Sequence, residues 1–387
     1  MWSLDRMFVE PLGLLGDADV ALAQAQISDL LAAGARSLLI LAGEASGLEQ
    51  AAWDELLQRQ VVPVFGGIFP RIVFGGRDHA RGVLIVGLRC AAEVCIVEGL
   101  NDEHPGFARY HAHCASLREA GSVMLWVDAL ARHIDVLIEA AYDMVGAGPA
   151  FIGGGAGSLS LRPQPCLFSN RGLLQGAALI VGLDARVAVG VKHGWESVAG
   201  PFLVSTVRGN EIRNLDFRPA LHVYRDEIAR LSGLQLDRDN FPAVARSFPL
   251  GVERMDGSFL VREPVRLEGE RLICIGDVPE RSTLHILHGV EEALVQASGQ
   301  ACREAMRRSG KTPAGVLLVD CISRALYLDH AHAAQLRLLE KVLEEGGSAG
   351  IPVFGVLSLG EIANPGGGCL EFHNKTFILG LLPDACA

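Results

Sequence analysis

Near the C-terminus, Glu361 stands in Leu359-Gly-Glu-Ile362, and His373, Asn374 and Thr376 follow the loop Gly366-Gly367-Gly368. A carboxylate, an imidazole, an amide and a hydroxyl at neighbouring strand ends offer donors and acceptors to an amino-acid-like or other small polar ligand. The same groups equally serve to fix a loop corner by hydrogen bonds, and the residues by themselves leave both readings open. His193 lies at the end of an alternating run, Val191-Lys-His-Gly-Trp195, where the glycine opens space and Trp195 can wall a flat apolar ligand. A neutral imidazole there either ligates haem iron or is satisfied by backbone. If haem is bound, His193 is the expected axial ligand and His373 the next candidate. A metal site would need pairs such as His111/His113, which could share a face on a strand, or His285/His288, which could share a helical face. Neither pair has a carboxylate at metal-ligand spacing, so solvated or core histidines are the expectation. An enzyme would draw its acid and base groups from Asp128, Asp320, Glu361 and His373 at strand ends, but no nucleophile is paired with them in the sequence.

The recurrent motifs of hydrolases and nucleotide-binding proteins are missing. Gly153-Gly154-Gly155-Ala156-Gly157 follows a short strand and resembles a phosphate cradle, yet it lacks the Lys and Ser/Thr of a P-loop and the GxGxxG spacing. Gly154 and Gly155 therefore enter as lining for a small ligand, and the chain reads as a binding protein, not an enzyme. There is no GxSxG or HExxH.

The elements that must carry these residues form a repeat. Ser37-Leu-Leu-Ile-Leu-Ala-Gly, an amphipathic stretch, Pro63-Val-Phe-Gly-Gly, a loop and Val83-Leu-Ile-Val-Gly-Leu88 make a first copy. Val123 to Asp128, Pro149 to Gly155 and Ala178 to Leu183 make a second; Val316 to Asp320, Pro352 to Val356 and Thr376 to Leu381 make a third. Short Val/Ile/Leu runs suit strands buried on both faces, and Ala334, Leu336, Leu338, Leu339, Val342 and Leu343 have helical spacing. We therefore expect an α/β or α+β fold built from repeated strand, helix, strand, loop, strand units, with sheets covered by helices. Gly66, Gly154 and Gly355 are expected at equivalent places in the second strands, and Glu361, His373 and Asn374 around one polar cavity.

At 387 residues two domains are expected, 1–221 and 222–387, with the boundary where a strand-rich insert gives way to a helix opened by Arg218-Pro219. Half the residues are hydrophobic, as a well-filled interior requires. A net charge of −11 without a Lys/Arg run argues against nucleic-acid binding. The N-terminus lacks a basic and then apolar leader and no apolar run is long enough to span a bilayer, so a cytoplasmic protein is expected, with no membrane partner. Nine cysteines without a CxxC pair read as buried free thiols, with a redox pair of Cys90 and Cys95 as the alternative.

Gly360-Glu361-Ile362 with His373-Asn374-Lys375-Thr376 resembles the C-terminal half of the FIST family, whose string there is usually closer to GEI and HNQT; Lys375 departs from it. Phe151 to Gly157, His193-Gly-Trp195, Leu215-Asp216 and Pro219-Ala220 resemble the N-terminal FIST segment and its junction. The resemblance spans most of the chain. It implies a sensor in intracellular signal transduction that binds a small molecule, such as an amino acid, and acts through a separate signalling protein such as a histidine kinase. Standalone relatives of this length include haem-binding nitric-oxide sensors, which makes haem with nitric oxide the sharper expectation. A homo-oligomer is compatible with the sequence.

Overall fold

A computed structural model describes residues 7–9, 13–16, 18–366 and 368–384. Three six-stranded sheets correspond to the three repeats, and a fourth sheet is inserted into the last. Each unit runs through a leading strand, a central strand, helix, a second strand, a hairpin and a third strand. The central strands are Ser37–Gly43, Ser122–Asp128 and Gly315–Cys321, and the second strands are Val64–Phe69, Ala150–Ala156 and Val353–Ser358. Central and second strands are parallel, and the third strands, Val83–Leu88, Ala177–Leu183 and Phe377–Leu382, lie antiparallel on the other side. Every position of the central strands is buried, which is why the sequence shows unbroken apolar runs there.

The hairpins tie the units together. The first unit's hairpin, Arg71–Phe74 and Arg77–His79, leaves its own sheet and pairs with the third unit's Val353–Ser358. The second unit's, Leu167–Ser169 and Gly172–Leu174, pairs with Val64–Phe69 of the first. The third unit's, Glu361–Asn364 and Glu371–His373, pairs with Ala150–Ala156 of the second. Each sheet is thus completed by another unit's hairpin, and the exchange closes a ring.

Parallel pairing brings each second strand close to its central neighbour at one glycine. A Cβ at Gly66, Gly153 or Gly355 would overlap the carbonyl oxygen of Ile40, Leu125 or Leu318, the fourth residue of the respective central strand. Gly153, not the expected Gly154, holds this place. The second unit has one more residue between its proline, Pro149, and that glycine than the units that begin at Pro63 and Pro352.

Between the third unit's leading strand, Ala188–Lys192, and its central strand lies the insert. Its sheet runs from Glu196–Arg208 to Thr283–His288 and packs on the helices Ala220–Ser232 and Phe241–Ser247. The helix Glu291–Ser309, closed by Gly310 in the left-handed region, then returns to the third unit. The compact bodies are interleaved along the chain: the insert's sheet draws strands from both sides of residue 221, and Ala188–Lys192 pairs with Phe377–Leu382.

Several local expectations change. His111 follows a short 3-10 turn, Phe107–Tyr110, so the pair His111/His113 is not on a strand. His285 and His288 lie on the strand Thr283–His288; three residues apart, they face opposite sides and not one helical face. Cys95 forms a disulfide with Cys114, and Cys90 is buried elsewhere. Cys166, Cys274, Cys302 and Cys321 are buried thiols, as the apolar setting of each implies; Cys369 is exposed and Cys386 lies outside the described residues. Among the described residues no helix is long and apolar enough to cross a membrane.

Candidate functional site

The C-terminal hairpin and the strand after it meet the insert and the helix Ile322–Leu328 in a buried polar cluster. Glu361 and His373 are directly opposed across the hairpin. Glu361 is fully buried; its carboxylate accepts from the Ser358 hydroxyl at 3.1 Å and from the Thr376 N–H at 3.1 Å. Burial holds its carboxyl well above the usual range. The Asn374 amide oxygen accepts from the Glu263 N–H at 3.1 Å, and the Thr376 hydroxyl donates to the Asn374 carbonyl at 2.8 Å. Lys375 takes a left-handed backbone, φ 52°, that costs a non-glycine residue about 1 to 2 kcal/mol. Its buried ammonium lies 3.1 Å from Glu263, donates to the Ser323 hydroxyl at 2.8 Å and sits 5.2 Å above the Trp195 ring. Ser323 in turn donates to Glu263 at 2.6 Å.

Trp195 closes this cluster. Its indole N–H donates to the Lys375 carbonyl at 3.0 Å and its ring packs against Tyr327 at 5.0 Å. Burial, with the charges of Arg324, Arg254 and Lys192, pushes His193 down to about 4; burial, Arg254, Arg262 and His193 push His373 down to about 3. Both imidazoles are therefore neutral at physiological pH. Arg262 ties the insert to the hairpin by donating to the Phe372 carbonyl at 2.8 Å and to the Asp277 carbonyl at 2.8 Å. Arg254 pairs with Glu371 at 3.1 Å.

The expected residues thus fall into two groups. Glu361, His373, Asn374, Thr376 and Trp195 join the cluster with His193. Gly154 and Gly155 face it from the second unit's strand, where they admit close backbone: Gly155 donates to the Gly360 carbonyl at 2.8 Å, and a Cβ on Gly154 would press on Gly360 and Ser358. Gly367 lies outside the described residues. Asp128 accepts from the N–H groups of Leu130 and Gly176 at 3.0 and 2.7 Å, a loop-fixing role away from the cluster.

A haem does not fit His193 as it stands. Nδ1 accepts from the Trp195 N–H at 3.0 Å, the other ring nitrogen donates to the Phe259 carbonyl, and Trp195 is already covered by Lys375 and Tyr327. The His373 ring likewise donates to the Ala363 carbonyl. Among the described residues no group of three or more His, Cys, Asp or Glu could hold a metal ion.

Sequence reasoning offered Asp320 only as a strand-end acid or base group and missed the other partners that complete the cluster. Asp320 is fully buried; its carboxylate accepts from Gln335 at 2.6 Å and lies 3.2 Å from His332 and 3.5 Å from Arg324. Arg324 donates to the His193 carbonyl at 2.6 Å. Asp320 also reaches Glu361 through Ser358, whose hydroxyl lies 3.3 Å from the Asp320 carbonyl. On the far side, His332 is 3.7 Å from Asp78, which pairs with Arg71 on the first unit's hairpin. Arg71, Asp78, Asp329 and His332 border a cavity of about 100 Å³ lined also by Ile322 and Leu357. The signal available for Arg324 was its position four residues after Asp320, at the start of the helix that follows the central strand. Nothing in the sequence pointed to Glu263 or Ser323.

These features define a ring-closed α/β protein with an inserted β-rich body and a buried polar cluster at their seam. The FIST N domain matches residues 37–218 and the FIST C domain residues 220–364, so the chain belongs to the FIST family. FIST domains are associated with sensing of small ligands in signal transduction. No curated protein matches the chain.

Proposed function

We propose that this protein senses a small amino-acid-like ligand at the seam between the insert and the third unit, and reports it to a separate signalling protein such as a histidine kinase. The observation that supports this reading is the pair of neutral histidines, His193 and His373, set among the guanidinium groups of Arg254, Arg262 and Arg324. Neutral imidazoles donate and accept without adding charge, while the surrounding cations favour a ligand carboxylate. An amino acid is favoured over haem with nitric oxide as ligand because both histidine rings are already hydrogen-bonded and Trp195 is covered.

A thermal-shift panel of the common amino acids, with haem as a further member, tests the reading. A ligand held at 100 times its dissociation constant stabilises by about 2.7 kcal/mol. The expected outcome is a shift with one chemical subset of amino acids that is lost in Arg254→Ala, and no Soret band on adding haem. A panel without any shift overturns the amino-acid reading, and haem uptake lost in His193→Ala restores the haem one. Autophosphorylation of a co-purified histidine kinase, measured with and without the ligand, tests the partner.

A further inference from the structure

On the insert's sheet, Ser197, Glu253 and His285 come together from three different strands. The Ser197 hydroxyl lies 2.8 Å from His285 Nδ1, and His285 Nε2 lies 3.3 Å from a Glu253 carboxylate oxygen. One tautomer satisfies both contacts: Nε2 carries the proton and donates to Glu253, and Nδ1 is left to accept from the serine. That order of hydroxyl, imidazole and carboxylate is the arrangement that activates a serine.

The sheet explains how residues so far apart in sequence meet. Gly251 is directly opposite His285, and Glu253 follows two residues later on the same face. Glu253 is in turn opposite Phe259, whose ring packs 5.0 Å from the imidazole. Ser197 arrives from the long strand Glu196–Arg208, where the pairing with Thr283–His288 shifts register on both sides of Ala199. Such bulges re-aim side chains and recur beside active sites. Gly200, with φ 116°, passes so near that a Cβ there would lie 3.2 Å from His285 Nδ1, so a glycine is needed for the serine's strand to approach the ring. Ser197 is exposed, the His285 side chain is only 12% exposed and that of Glu253 41% exposed: the base is fixed while the nucleophile is open to a reactant.

We propose that Ser197, His285 and Glu253 form an acyl-transfer site that takes small acyl esters, distinct from the sensor site and independent of the reading given above for it. Ser197 Oγ attacks the ester carbonyl and passes its proton to His285 Nδ1; as the C–O bond to the leaving group breaks, His285 returns the proton to the departing alcohol. Water, activated by the same imidazole, then releases the acid and regenerates the serine. Ester and water yield acid and alcohol, with no other reactant. Ser197 and His285 are the catalytic residues and Glu253 a positioning residue that holds the tautomer. The absence of a GxSxG motif is no obstacle, because the three groups are assembled across strands and not around one turn.

The full chain is incubated with a fluorophosphonate, which is attacked at phosphorus with loss of fluoride, and the labelled peptide is identified by mass spectrometry. p-Nitrophenyl acetate hydrolysis is followed in parallel. Labelling is expected at Ser197, and hydrolysis is expected to fall at least about 100-fold in Ser197→Ala and in His285→Gln. Glu253→Gln should lower kcat with KM unchanged, and Glu253→Asp should recover part of it. Circular dichroism of each variant confirms folding. No labelling of the folded wild type, labelling at another residue, or labelling of Ser197 that persists at the same rate in folded His285→Gln each overturns the proposal.

Discussion

At the residue scale, Lys375 concentrates the site's energetics. A buried ammonium is tolerable only with partners that replace its water, and here Glu263, Ser323 and the face of Trp195 supply them. Lys375→Gln, which installs the amide usual in the family at this place, is one atom shorter, removes the charge and strands the Glu263 carboxylate. Loss of one partner of a buried pair costs about 3 to 5 kcal/mol. Urea denaturation should show a loss of that order in Lys375→Gln, and Lys375→Gln with Glu263→Gln should recover most of it. A loss in the double variant equal to the sum of the losses in the two single variants would show that the pair is not coupled. This part of the site was only half legible in the sequence. Glu361, His373 and Asn374 stand within one short stretch, so their convergence can be read from a loop that returns to an adjacent strand. Glu263 and Ser323 arrive from the insert and from another helix, and no local spacing connects them to Lys375.

At the scale of elements, the strands were legible because burial on both faces leaves a continuous apolar run, and helix ends because Gly233 and Gly310 sit just past them in the left-handed region. The hairpin exchange was not. The sequence of a hairpin records which of its residues are buried but not which unit's strand buries them, so Arg71–Phe74 looks the same whether it pairs within the first unit or with the third. The glycine register failed for a related reason, since the sequence shows one added residue before Gly153 but not which of the three consecutive glycines meets the parallel strand beside it. A direct test follows from that contact. Gly355→Ala forces a methyl against the Leu318 carbonyl and should destabilise by about 3 kcal/mol or prevent folding, the range in which overpacking and strain fall. Gly148→Ala, where a methyl would meet nothing within 4 Å, should stay within about 0.5 kcal/mol of the parent. Thermal midpoints of the two variants compare them, and similar values would remove the close-approach explanation.

On the scale of the whole molecule, a chain of hydrogen bonds and ion pairs from Arg71 and Asp78 through His332 and Asp320 to Arg324 and His193 joins the first unit's hairpin to the insert seam, and its histidines titrate in opposite senses. Burial alone would lower His332, but hydrogen bonds to Asp320 and Asp78 and their negative charges outweigh it and raise the ring to about 9. The native state therefore holds a proton that the unfolded chain gives up above its ordinary 6.5. The His332 contribution is whole below about pH 6.5 and is lost as pH rises through 9. His193 and His373, at about 4 and about 3, behave in reverse. Below 6.5 the unfolded chain binds protons that the native state refuses, so stability falls as pH is lowered toward 4. The expected profile of urea midpoint against pH is a maximum near 6.5, with losses on each side of a few kcal/mol at about 1.4 kcal/mol per pH unit per group. His332→Gln keeps hydrogen-bonding capacity without a titrating ring and should flatten the alkaline limb while leaving the acid limb in place. An alkaline limb unchanged in that variant would mean that the link between the hairpin and the third unit does not depend on the His332 proton.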